Sequence, residues 1–135
     1  MIDTNFFRGK RKDTGEWVFG NLKSFVYRKK QQAWIETSKN VFLVDPETVG
    51  QYIGLKDRNR IRIYNRDIVR FGTTEGHILV KEIVWDSESL CYLVGNMPYQ
   101  MLRESGYIQP TKALFEVIGN SFDNDLKLLE AKNER

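Results

Sequence analysis

Between Val41 and Phe71 short runs of strand-forming residues alternate with turn residues so quickly that no helix longer than one turn can fit. Val41 to Val44 is an unbroken apolar run, the pattern of a strand covered on both faces. Asp45 before Pro46 is the order of a helix N-cap and a first-turn proline, and Gly50 ends that segment after a single turn. Gln51 to Leu55 resumes as a strand and Lys56-Asp57-Arg58-Asn59 is a turn. Arg60 to Tyr64 then alternates, with Ile61 and Ile63 on one face and Arg60, Arg62 and Tyr64 on the other. Asn65-Arg66-Asp67 turns tightly into a further strand that reaches Phe71.

The rest of the chain follows the same period. Phe6 to Arg11 and Glu16 to Leu22 flank Lys12-Asp13-Thr14-Gly15, and Asp-x-Gly between two apolar runs is a hairpin signal. Phe25-Val26-Tyr27 and Ala33-Trp34-Ile35 suggest a second hairpin about a polar loop, Arg28 to Gln32. His77 to Trp85 and Leu90 to Val94, rich in Val, Ile, Leu and aromatics, form a meander about Asp86 to Ser89. Gly95 to Gly106, interrupted by Pro98, looks irregular, and Phe115 to Ile118 is a last strand. The tail from Asp123 to Lys132 is the one good helix candidate, capped by Asp123, with Leu126, Leu128 and Leu129 as its apolar stripe.

At 135 residues the chain can bury roughly two-thirds of its unfolded surface, enough for a real core. No stretch approaches the roughly 18 apolar residues of a membrane span, and the amino terminus lacks the basic-then-apolar order of a secretory signal. Cys91 is the single cysteine, which excludes an intrachain disulfide and suits a reducing cytoplasm. Charge is uneven: residues 1–70 hold 15 Lys and Arg against 8 Asp and Glu, residues 71–135 hold 6 against 10. Such asymmetry means either a nucleic-acid face on the first half or two halves that attract each other, within one chain or between copies.

Three blocks carry a family resemblance: FRGKRKDTGEWVFGNL, VDPETVGQYIGLKD followed by IYNRDIVRF, and FEVIGNSFDN. Together they resemble the YopX family of phage and prophage proteins, a family with no established biochemical activity. The family pattern reads roughly LxDxNGKxIYxGDIV across the middle, and this chain has Arg60 and Arg66 where that pattern has glycine. Glycine takes positive φ without steric cost, so both replacements bear on turn geometry. The resemblance implies a prophage protein of the bacterial cytoplasm, and its Gly-Asp-Ile-Val segment looks like the start of a small SH3-like barrel.

The sharpest chemical feature is the run Arg58, Arg60, Arg62, Arg66, Arg70. On one β face beside Tyr52 and Tyr64 it would combine phosphate-pairing guanidinium groups with stacking rings, the composition of single-stranded nucleic-acid grooves. The plainer account is that these arginines form the wet face of an edge strand, where charge also blocks aggregation, and it carries more weight. His77 and Cys91 fall on adjacent expected strands and could form a base and nucleophile. Against that, Cys91 lies in an apolar run, where cysteine behaves as a small hydrophobe. One His and one Cys cannot make a zinc site, no phosphate-cradling glycine motif is present, and no cofactor is expected. Trp17, Trp34 and Trp85 are expected in the core, each on its own strand.

The sequence therefore predicts a mainly β protein of short antiparallel strands. It has an amino-terminal β lobe over about residues 1–55 and an SH3-like small barrel or half-barrel centred on residues 61–95. The second lobe, about 56–135, ends in one short carboxy-terminal helix. The expected role is a non-enzymatic, cytoplasmic, self-associating interaction module that forms a homo-oligomer and has no membrane partner. Single-stranded nucleic-acid binding through Arg58, Arg60, Arg62, Arg66, Arg70 and Tyr64 is the alternative.

Overall fold

The computed structural model describes residues 5–108 and 114–133. Its first unit runs to Tyr52 and its second begins at Ile53. In the first unit, strands β1 (Phe7–Lys10) and β2 (Trp17–Tyr27) pair antiparallel from Phe7 opposite Gly20 to Lys10 opposite Trp17. Gly15 takes φ +76° in the turn that joins them, the left-handed conformation that the Asp-x-Gly signal requires. β2 continues beyond β1 and pairs with β3 (Lys30–Glu36), which in turn pairs with β4 (Val41–Val44). Gly50 and Gln51, at the start of β5 (Gly50–Lys56), pair with Arg8 and Phe7 on the other side of β1.

Between β4 and β5, Pro46–Thr48 makes one 3-10 turn. The Asp45 carboxylate caps it by accepting from the Glu47 N–H at 3.1 Å, the arrangement its Asp-Pro order foretells. The Thr48 hydroxyl is buried and accepts from the Lys10 N–H at 2.8 Å, which ties this turn to β1. The core of the unit is Ala33, Ile35 and Val44, packed with Phe7, Val18, Leu22 and Val49. Val41 is exposed, so β4 is covered at its Val44 end and open at the other.

The second unit begins within β5, whose neighbour on this side is β6 (Arg62–Tyr64). A five-stranded antiparallel sheet follows, in the order β10-β9-β8-β7-β11. Its strands are β7 (Asp67–Gly72), β8 (Ile78–Asp86), β9 (Cys91–Val94), β10 (Met97–Pro98) and β11 (Glu116–Asn120). Helices α1 (Tyr99–Glu104) and α2 (Leu126–Asn133) accompany it. β10 and β11 are the two edges, so the sheet is open and not a closed barrel. β7 lies between β8 and β11 and is the most buried strand: Asp67, Ile68, Val69 and Phe71 are all buried, which requires cover on both faces. Ile63, Val69, Phe71, Ile83, Val94, Leu102, Ile108 and Phe115 form one core, with Phe71 and Phe115 edge to face at 5.3 Å.

Several local expectations change. The polar loop expected at Arg28 to Gln32 contracts to the two residues Arg28 and Lys29, because β2 and β3 stay paired out to Tyr27 opposite Lys30. Gln31 and Gln32 therefore belong to a strand. Ile61 does not share a face with Ile63: it is exposed and precedes β6, whereas Ile63 and Tyr64 are adjacent and both buried. None of Trp17, Trp34 and Trp85 is fully buried, and Trp85 lies exposed against the Tyr92 ring. The stretch read as irregular holds β10 and α1, whose N-cap is Pro98. The final helix is capped by Asp125, which accepts from the Lys127 N–H at 2.9 Å, and not by Asp123; Leu128 points to solvent.

Candidate functional site

The arginine run does not form one cationic face. Arg58 is exposed and spends its guanidinium on the Leu114 carbonyl, at 3.4 Å. Arg60 is exposed at a turn, with φ +64°. Arg62 is half-buried on β6. Arg66, at φ +78°, pairs through Nε with the Glu82 carboxylate and lies over the Phe122 ring at 5.5 Å. Arg70 pairs with Glu116 on the neighbouring strand β11. Tyr64 is 4 % exposed, so its ring is a core element and no base can stack on it. The alternation that put Tyr64 beside Arg62 fails because a strand only three residues long, lying next to a tight turn, does not keep a strict two-residue period.

Cation and aromatic do meet elsewhere. Beyond Gly20, β2 has lost β1 as a neighbour, and before Ala33, β3 has not yet met β4. Asn21 to Ser24 still lie in a β2-β3-β4 sheet, because their partners Ala33 to Glu36 pair with β4; among the described residues, only 25–32 form a two-stranded arm with both edges open. Phe25, Val26 and Tyr27 are 49, 70 and 54 % exposed. Phe25 and Tyr27 share a face and lie about 6.8 Å apart along the strand. Arg28, Lys29 and Lys30 occupy the tip, with the Arg28 guanidinium over the Tyr27 ring at 5.3 Å, and no Asp or Glu occurs from Trp17 to Ile35. The turn holds both Arg28 and Lys29 at positive φ, the geometry that matches strand twist but favours Asn-Gly. An isolated two-stranded hairpin is marginal in water, and this one carries its largest apolar side chains in the open.

A second feature lies in the second unit, where α1 leaves the sheet. A cavity of about 230 Å³ opens there, walled by Leu55, Ile83, Tyr92, Tyr99 and Phe115 among others, with Cys91 and Gln100 also lining it. Burial pushes the Tyr92 phenol pKa upward. His77 is nowhere near this thiol. Cys91 stands opposite Asp86 at the far end of β8 from His77, a separation of about 30 Å at roughly 3.3 Å per residue. The His77–Cys91 pair therefore cannot act together; the imidazole lies 3.8 Å from Glu75 and the thiol 3.2 Å from the Ser89 hydroxyl.

A family model described as YopX protein matches residues 6–130. The chain belongs to the YopX family. No curated protein matches it. Within the YopX pattern the two arginines at glycine positions keep the glycine conformation, since Arg60 and Arg66 both stand at positive φ. A non-glycine residue there costs roughly 1–2 kcal/mol. Arg60→Gly should accordingly stabilise the second unit by about 1 kcal/mol, read as a higher denaturation midpoint at unchanged slope. Arg66→Gly should gain less, because it gives up the Glu82 pair. A neutral or destabilising Arg60→Gly would show that the turn is not strained.

The sequence predicts the hairpin of β2 and β3 but not its short turn and open edges, and it does not show the cavity. The arm had a signal: the alternation of Ala33-Trp34-Ile35 can be extended back through Gln32 and Gln31. The cavity had none, since β5, β9, α1 and Phe115 meet only in the fold. Among the described residues no helix is long and apolar enough to cross a membrane, and the same statement does not extend to strands.

Proposed function

We propose that this YopX family member is a phage-associated, non-enzymatic interaction module whose contact element is the arm formed by residues 25–32, and that its partner is single-stranded nucleic acid. The observation that carries this reading is the exposed pair Phe25 and Tyr27 on one strand face, followed at once by Arg28, Lys29 and Lys30. Rings on an open strand stack on unpaired bases without regard to sequence, and the cations at the tip meet phosphate. We further read the second unit as an opened SH3-like half-barrel, supported by its meander β7-β8-β9-β10 with β11 returned beside β7. In this reading the arginine run serves the fold, and the cytoplasm of the host is the site of action.

Self-association is the second reading, favoured by the open edges of the same arm, which offer backbone N–H and C=O groups for strand addition. Charge separates the two. Arm-to-arm pairing brings like charges together and strengthens with salt, whereas phosphate contacts release counterions and weaken with it. Titrating a labelled oligothymidylate while adding salt should give a falling log–log line. The triple change Arg28→Ser, Lys29→Ser, Lys30→Ser should flatten its slope by roughly 2. Phe25→Ser with Tyr27→Ser should weaken binding at every salt concentration alike. No binding at low salt removes the nucleic-acid reading, and a slope altered only by Arg60→Ser and Arg62→Ser returns it to the arginine run. Light scattering across dilution tests the oligomer, which a monomer at high concentration and high salt eliminates.

A further inference from the structure

We infer that the cavity beside α1 is a binding site for one neutral aromatic ring bearing a hydrogen-bond donor, a phenol or an indole. Size comes first. A cavity of 150 Å³ lined by aliphatic and aromatic groups holds benzene, while drug-sized ligands occupy roughly 300–1,000 Å³. At about 230 Å³ this cavity fits a single substituted ring and little more. Its walls supply faces and edges for that ring: Tyr99 and Phe115 lie 6.0 Å apart and tilted, and Phe71 closes on Phe115 from behind at a right angle. Aromatic rings prefer such offset and edge-to-face neighbours.

Charge comes second. Among the described residues, no Asp, Glu, Lys, Arg or His lines the cavity, and an unpaired charge brought into an apolar site is strongly disfavoured. The occupant is therefore uncharged. Its donor is set by Gln100, whose amide nitrogen already donates to Glu104 at 2.7 Å. An amide oxygen can only accept, and Gln100 is exposed where it lines the cavity. A hydroxyl or ring N–H on the ligand satisfies that oxygen, and a ligand without a donor forgoes that bond. This site is built from residues of the second unit alone and does not depend on the nucleic-acid reading.

Cys91 lines the cavity and reports its occupancy. Alkylation of the full-length protein by iodoacetamide should slow about fivefold once p-cresol reaches roughly four times its Kd. Toluene, lacking the donor, should protect more weakly at equal concentration, and benzoate should not protect. Gln100→Trp, a change at an exposed position, should cover the mouth and abolish the effect of p-cresol. Leu55→Trp, which fills the cavity from β5, is the second variant. Equal protection by benzoate, or none by p-cresol, overturns the proposal with no variant needed. The same ring chemistry could come from a Phe or Tyr of another copy. If p-cresol also splits an oligomer in light scattering, the natural source is a second chain; if the protein is monomeric throughout, it is a free molecule.

Discussion

Asp57→Ala is expected to destabilise the second unit by on the order of 4 kcal/mol, because one buried carboxylate organises three separate backbone groups. Asp57 is 3 % exposed. Its Oδ1 accepts from the N–H groups of Asn59 and Ile61 at 2.8 and 2.9 Å, and its Oδ2 accepts from Val117 at 3.0 Å. The first two close the turn before β6. The third holds β11, far along the chain, against that turn, and the Arg58 N–H bonded to the Phe115 carbonyl reinforces it. Alanine leaves all three donors without an acceptor in a place where water does not readily replace it.

For a unit of this size such a loss should lower Tm by roughly 15–30 °C. Asp57→Asn keeps the shape and the two bonds to Oδ1 but turns an amide N–H toward the Val117 N–H, so about half the effect is expected. A calorimetric scan of the three proteins decides. If alanine and asparagine both melt with the wild type, Asp57 does not hold β11 in place.

Gly20→Ala is expected to be nearly as severe, and confined to the first unit. Gly20 is buried at the residue where β2 exchanges β1 for β3, paired with Phe7 while its neighbour Asn21 pairs with Glu36. A Cβ built there would lie on the Glu36 backbone carbonyl. A side chain could rotate away, but a strand cannot move without breaking its ladder. Forced overpacking costs typically 1–3 kcal/mol and sometimes more, and against backbone the upper end applies.

Amide exchange across β2 and β3 should then accelerate about a hundredfold, while β7 and β8 stay protected. Gly15→Ala is the control: its φ is +76°, unlike that of Gly20, but nothing lies near the added methyl, so only the left-handed strain of roughly 1–2 kcal/mol applies. Because Gly20 lies on β2, which continues into the arm, Gly20→Ala should also lose oligonucleotide binding. Wild-type exchange in β2 would mean that the two strands do not approach as closely as described.

What could be read in advance follows from what local chemistry controls. Asp45-Pro46 announced its 3-10 turn because capping involves residues two apart. The meander of β8 and β9 announced itself through apolar density, and the YopX words through long spans of particular residues. Tyr64 was misplaced because whether a tyrosine faces water depends on which sheet lies across it. The exposure of Trp85 and the burial of Asp57 are of the same kind.

Sequence alone therefore determined that the chain is mainly β, that its turns, the Arg28-Lys29 turn excepted, fall where Gly, Pro, Asp and Asn stand, and that it belongs with the YopX proteins. Tertiary structure alone decided that Arg66 and Arg70 are occupied by Glu82 and Glu116, that residues 25–32 have no third strand beside them among the described residues, and that a cavity opens beside α1. The physical reason is range. Turn and strand preferences act over a few residues, whereas ion pairs, edge cover and empty volume depend on groups that only folding brings together, such as Asp57 and Val117, 60 positions apart.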